Sequence, residues 1–81
     1  MTTKEKREHV RSPVDIPVEF IVQGRFYDGM IKNISKGGVF TETKGTFSVG
    51  QDISFYFGKE NIIGTIIRVE PQGIGVKFRK P

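Results

Sequence analysis

The sequence predicts an all-β fold, a small six-stranded antiparallel barrel, and three observations carry that expectation. The 81 residues include no Ala and no Leu, the commonest helix-forming apolar residues, and Gly or Pro interrupts nearly every window long enough for three helical turns. Ile, Val, Thr, Phe and Tyr supply the apolar content instead, in short alternating runs bounded by Gly, Pro, Asn, Asp or Ser. Those runs recur every 8 to 12 residues or about that, with local turns between them, as in a barrel that closes on itself and leaves no open sheet edge.

In the first run, Val14 to Val22, the residues Val14, Ile16, Val18, Phe20 and Val22 share one face while Asp15, Pro17 and Glu19 take the other. Pro17 has no N–H to donate and marks an edge or an irregular stretch. Gln23-Gly24 turns the chain into a second run, Arg25 to Ile34, which the Gly-rich turn Asn33 to Gly38 interrupts. Val39 to Thr43 is a short third strand and Lys44 to Gly50 a loop. Ile53, Phe55 and Phe57 then alternate with Asp52, Ser54 and Tyr56 in a fourth strand, and Gly58 to Asn61 turns it. The fifth strand, Ile62 to Glu70, begins apolar on both faces and is expected to be central; Gly64 within it suggests a bulge or a close backbone approach. Pro71-Gln72-Gly73 ends it, and Ile74, Val76 and Phe78 alternate with Gly75, Lys77 and Arg79 in a sixth. Phe26, Tyr27, Phe40, Phe55, Tyr56 and Phe57 are expected to fill the core. Ahead of the strands, residues 1–13 form a polar arm expected to be flexible, with Lys4, Lys6, Arg7 and Arg11 offset by Glu5 and Glu8. The chain thus divides into an arm, 1–13, and a barrel, 14–81.

Size and composition narrow the function classes. A chain this short buries only about 60% of its unfolded surface, too little for a deep enclosed cleft. Without cysteine, and with His9 as the only histidine, no metal centre or thiol chemistry is expected, and no cofactor. The serines come with no nucleophile motif, phosphate loop or paired-carboxylate spacing, so the expected class is a binding module rather than an enzyme. No apolar run approaches the ~20 residues that cross a bilayer and no cleavable leader is evident, so a soluble, cytoplasmic protein without membrane insertion is expected. Thirteen Lys and Arg against nine Asp and Glu give a net charge of +4, which favours an anionic partner. That charge is low for a nucleic-acid binder, and basic and aromatic residues do not interleave along one face.

Two motifs carry chemistry. In the arm, Arg7-Glu8-His9-Val10-Arg11 sets two guanidinium groups four residues apart just before the first strand. After the second strand, Asn33-Ile34-Ser35-Lys36-Gly37-Gly38 sets an amide and a hydroxyl two residues apart, followed by paired glycines. An arginine fork matches the O6 and N7 acceptors of guanine, stacks on purine faces and pairs with phosphate. A side-chain oxygen at Asn33 or Ser35 can accept from the N1 and N2 donors of the opposite edge. Gly37 and Gly38 let a ligand approach the main chain.

Together these motifs resemble the PilZ domain, a bacterial receptor module for cyclic di-GMP whose signature is RxxxR followed by [D/N]xSxxG. Arg7 and Arg11 match the first part, and Asn33, Ser35 and Gly38 the second; the likeness runs from about Lys6 to Arg79 and includes Gly73-Ile74-Gly75-Val76-Lys77-Phe78. The resemblance implies a cyclic di-GMP site at Lys6, Arg7, Arg11, Asn33, Ser35, Gly37 and Gly38, an arm that changes conformation on binding, and a downstream partner protein of unknown identity. Lys6 stands where some members carry another Arg thought to influence ligand stoichiometry, and Arg68 is a secondary candidate for a phosphate contact. Asn33, in place of Asp, brings one acceptor oxygen and predicts weaker or differently angled recognition. Family members often add a C-terminal helix, none is expected before Pro81, and the resemblance leaves room for a homodimer. The competing expectations are a small barrel that binds RNA or single-stranded DNA, and a PilZ-like protein-interaction module without ligand.

Overall fold

The computed structural model describes residues 12–79. They form six strands and no helix: β1 (Ser12–Val22), β2 (Arg25–Ser35), β3 (Gly38–Glu42), β4 (Asp52–Phe57), β5 (Glu60–Glu70) and β6 (Gly73–Phe78). Every pairing is antiparallel, and the order β1-β2-β3-β6-β5-β4 closes as β4 returns to β1. Four connections are two-residue hairpin turns, Gln23-Gly24, Lys36-Gly37, Gly58-Lys59 and Pro71-Gln72. Gln23 and Gly24 both hold positive φ, 50° and 78°, the backbone of a type I′ turn, whose twist suits a tight hairpin.

The alternation of β1 decides the core. Val18, Phe20 and Val22 point inward and join Ile31, Val39, Phe47, Ile53, Phe55, Ile66, Ile74 and Val76, while Val14 and Ile16 pack on the cluster's rim. Phe20 is its hub, with ring centroids 5.5 Å from Tyr27, 5.6 Å from Phe55 and 6.1 Å from Phe47. Pro17 is tolerated because β1 meets β4 only from Glu19 onward, so Pro17 pairs with Met30 of β2 and has no strand on its other side.

Several expectations need correction. Phe26 and Tyr56 do not fill the core; they are 79% and 39% exposed. The two-residue turn pairs Phe26 with Ile21, and Tyr56 pairs with Glu19, both on the outer face of β1. Phe40 also lies outside, opposite Gly75. The connection from Thr43 to Gln51 is not a plain surface loop, since Phe47 reaches back into the core. Its end is fastened to β5: Gly50 donates its N–H to the Ile66 carbonyl at 2.8 Å and Ile66 donates to that of Gln51 at 2.9 Å. The irregularity in β5 falls between Ile66 and Arg68, not at Gly64, which marks a close approach: a Cβ there would lie 2.7 Å from the Lys77 carbonyl oxygen. In the first part of β5, Ile62 packs on the core while Ile63 stays exposed.

Candidate functional site

The Asn33 segment is not the six-residue turn expected: Asn33 to Ser35 continue β2, only Lys36-Gly37 turns, and Gly38 opens β3, so that its two glycines have different duties. Gly37 holds φ +86°, a conformation that side chains rarely adopt. At Gly38 the limit is space, because a Cβ would sit 2.5 Å from the Val76 carbonyl oxygen of β6. The turn is fixed from the far strand as well: Phe78 donates its backbone N–H to the Gly37 carbonyl at 2.8 Å.

Two bulges aim the side chains. Ile31 pairs with Thr41 and Asn33 with Phe40, so Lys32 is an extra residue between them. Without it Asn33 would share the inward face of Ile31, two positions away; with it Asn33 turns outward beside Phe40. On the other flank Ile66 pairs with Val76 and Arg68 with Gly75, leaving Ile67 as the extra residue and turning Arg68 outward in the same way. The result is one transverse row on the outer face, Asn33, Phe40, Gly75 and Arg68, drawn from β2, β3, β6 and β5. A second row beside it holds Ser35, Gly38, Lys77 and Thr65.

Between the rows runs a groove of about 220 Å³ whose lining includes Asn33, Ser35, Lys36, Phe40, Arg68 and Lys77. Gly75 leaves its floor without a side chain, and Arg68 folds across that gap, its Cβ 3.4 Å and Cζ 3.7 Å from where a Gly75 Cβ would be. The guanidinium carbon lies 5.8 Å from the Phe40 ring centroid, within cation–π range, and Nε is 2.5 Å from Glu70 Oε2. Beside the groove, Lys32 Nζ is 2.5 Å from Asp15 Oδ1 and ties the bulge of β2 to the irregular stretch of β1 between Pro13 and Ile16. The hydrogen bond to Asp15, then its charge, raises the Lys32 pKa above the ordinary 10.5, so the lysine keeps its charge below that value and loses it only as pH climbs through the raised one.

The groove therefore joins an amide, a hydroxyl, an aromatic face and three cations, Lys36, Lys77 and Arg68, the last already paired with Glu70. Such a surface suits an anionic heteroaromatic ligand: the cations face charge, and the amide and hydroxyl face polar ring edges. Of the residues singled out from sequence, Asn33, Ser35, Gly37 and Gly38 meet here, whereas Lys6, Arg7 and Arg11 lie outside the described residues. The arm's attachment is described: Ser12 pairs with Ile34 and Pro13 with Asn33, so the chain enters β1 alongside the groove. Phe40, Gly75 and Lys77 were not foreseen as lining residues: their own strands alternate regularly, and which of their positions meet Asn33 and Arg68 is set by the bulges of the neighbouring β2 and β5, which leave no mark in residue type.

The described residues thus form a closed all-strand barrel with a polar groove on its outer wall. The chain belongs to the PilZ domain family, whose profile matches residues 5–81, a family of generally cyclic di-GMP-binding modules rather than enzymes. No curated protein matches the chain. Among the described residues no helix is long and apolar enough to cross a membrane.

Proposed function

We propose that the chain is a cytoplasmic cyclic di-GMP receptor that signals to a partner protein through a change in its N-terminal arm. One observation carries the reading: the row from Asn33 to Arg68 and the row from Ser35 to Lys77 flank a cationic groove beside the first residues of β1. Arg11 is bonded to Ser12, and Arg7 stands four residues earlier, a tether of at most about 14 Å. Both guanidinium groups can therefore reach a ligand seated on the Asn33 turn. Asn33 or Ser35 accepts from the N1 and N2 donors of a guanine, Arg7 and Arg11 grip phosphate oxygens and the O6/N7 edge, and Lys36, Lys77 and Arg68 supply further positive charge. Ordering the arm costs a few kcal/mol, roughly, which the charge-assisted hydrogen bonds offset. The ordered arm over the bound nucleotide is the signal that a partner reads.

Calorimetric titration with cyclic di-GMP against GTP and linear diguanylate tests this. Selective binding of the cyclic dinucleotide is expected, and Arg7→Ala or Arg11→Ala should each weaken it by about 1.5 to 3 kcal/mol, the range for a hydrogen bond to a charged group. Unchanged affinity in both variants would remove the arm from the mechanism, and equal affinity for GTP would remove the cyclic dinucleotide.

A further inference from the structure

The outer wall at the opposite end of β2 carries a second, larger concavity of about 1360 Å³, and its chemistry is the reverse of the nucleotide groove. Its lining includes Phe26, Met30 and Tyr56 together with Glu19, Asp28 and Glu42, against a single lysine, Lys44. Outer faces of closed barrels are ordinarily polar, so a phenylalanine 79% exposed needs a reason. It stands next to Ile21, half-buried on the same face, in a cross-strand row that continues through Ser54 to the exposed Ile63.

The charges add an independent observation. Glu19 and Asp28 are direct cross-strand partners, and like charges so placed repel. Among the described residues, the ion pairs are Lys32 with Asp15, Arg68 with Glu70 and Arg79 with Asp52, and none of them involves Glu19, Asp28 or Glu42. Nor, among the described residues, do three acidic groups come close enough to hold one metal ion. Spaced carboxylates around exposed aromatic rings call for spaced cations on an apolar stem. Nucleic acid and anionic lipid are repelled by such a surface.

We propose that this face, centred on Phe26, Tyr56, Glu19 and Asp28, docks a segment of a partner protein in which lysines or arginines flank an apolar side chain. The apolar side chain packs on Phe26 and Tyr56, and the cations relieve the opposed Glu19 and Asp28. The inference rests on the wall's own apolar and acidic residues and holds whether or not a nucleotide binds. The chain's net charge of +4 repels a basic peptide at long range, so any binding has to be local to this acidic wall.

The test is an amide NMR titration of the full chain with the synthetic peptide Lys-Leu-Lys-Phe-Lys-Leu-Lys, with Glu-Leu-Glu-Phe-Glu-Leu-Glu as control. The basic peptide is expected to shift amides at Val18 to Glu19, Phe26 to Met30, Glu42 to Lys44 and Tyr56, and the acidic one to leave them in place. Phe26→Ser and Asp28→Asn, both on the exposed wall, should keep the native spectrum and each weaken binding by about fivefold or more, near 1 kcal/mol. Absence of shifts at millimolar peptide, equal response to the acidic peptide, shifts centred elsewhere, or wild-type affinity in both variants would overturn the proposal.

Discussion

At Asn33 a single atom decides how the proposed guanine contact works. An Asp there presents two acceptor oxygens to the N1 and N2 donors, whereas Asn presents one oxygen and an amide that is itself a donor. Asn33→Asp should therefore tighten cyclic di-GMP binding, by about 1 kcal/mol if one hydrogen bond is gained, and calorimetry would show it; weaker binding would mean that Asn33 does not face those donors. Thr41 makes a separate point about the core. It lies fully buried between Ile31 and Ile74, and its Oγ1 has no hydrogen-bond partner among the described residues. Replacing the hydroxyl by a methyl in Thr41→Val should stabilise the barrel by about 1 kcal/mol, raising Tm by roughly 4 to 8 °C in a thermal melt. A lower Tm would show that the hydroxyl is satisfied by a bound water.

Among the strands, the extra residues Lys32 and Ile67 matter as much as any side chain at the site. Each reverses the face that the following residues take, and between them they bring Asn33 and Arg68 onto one outward row. Deleting Lys32 should therefore do more than remove an exposed charge. It forces a choice between turning Asn33 inward and turning Ile31 out of the core, so both nucleotide affinity and Tm should fall, while Lys32→Gln, which keeps the residue count, should leave the fold intact. A deletion variant that binds as tightly as wild type would refute the role assigned to the bulge. The same feature marks the limit of what the sequence discloses. Alternation of Val14 through Val22 and of Asp52 through Phe57 was enough for strands, barrel and most of the core, and the Asn33 motif located the turn. Phe26 was expected in the core, although a two-residue turn at Gln23-Gly24 puts it opposite Ile21 on the outer face and could have told otherwise. The bulges were not legible, because a shift of one residue in pairing depends on both neighbouring strands at once. Phe47 was hidden for another reason: it enters the core from a connection without alternation.

Across the whole molecule the net charge of +4 conceals a division into two walls of opposite sign. Lys36, Arg68 and Lys77 line the groove by the Asn33 turn, and Glu19, Asp28 and Glu42 line the concavity around Phe26. β2 and β3 run through both, so the proposed dinucleotide site and the proposed docking face share the same pair of strands without sharing residues. A barrel this small leaves its interior to the core and does its recognition on the outside. The most direct measurement is the amide spectrum of the full chain with and without cyclic di-GMP. Binding at the proposed site shifts residues 6–11 of the arm together with Asn33 to Phe40, Arg68 and Gly75 to Lys77, and leaves Phe26 to Asp28 unmoved. A spectrum unchanged at millimolar nucleotide, or one whose shifts avoid both the arm and the Asn33 turn, would contradict it.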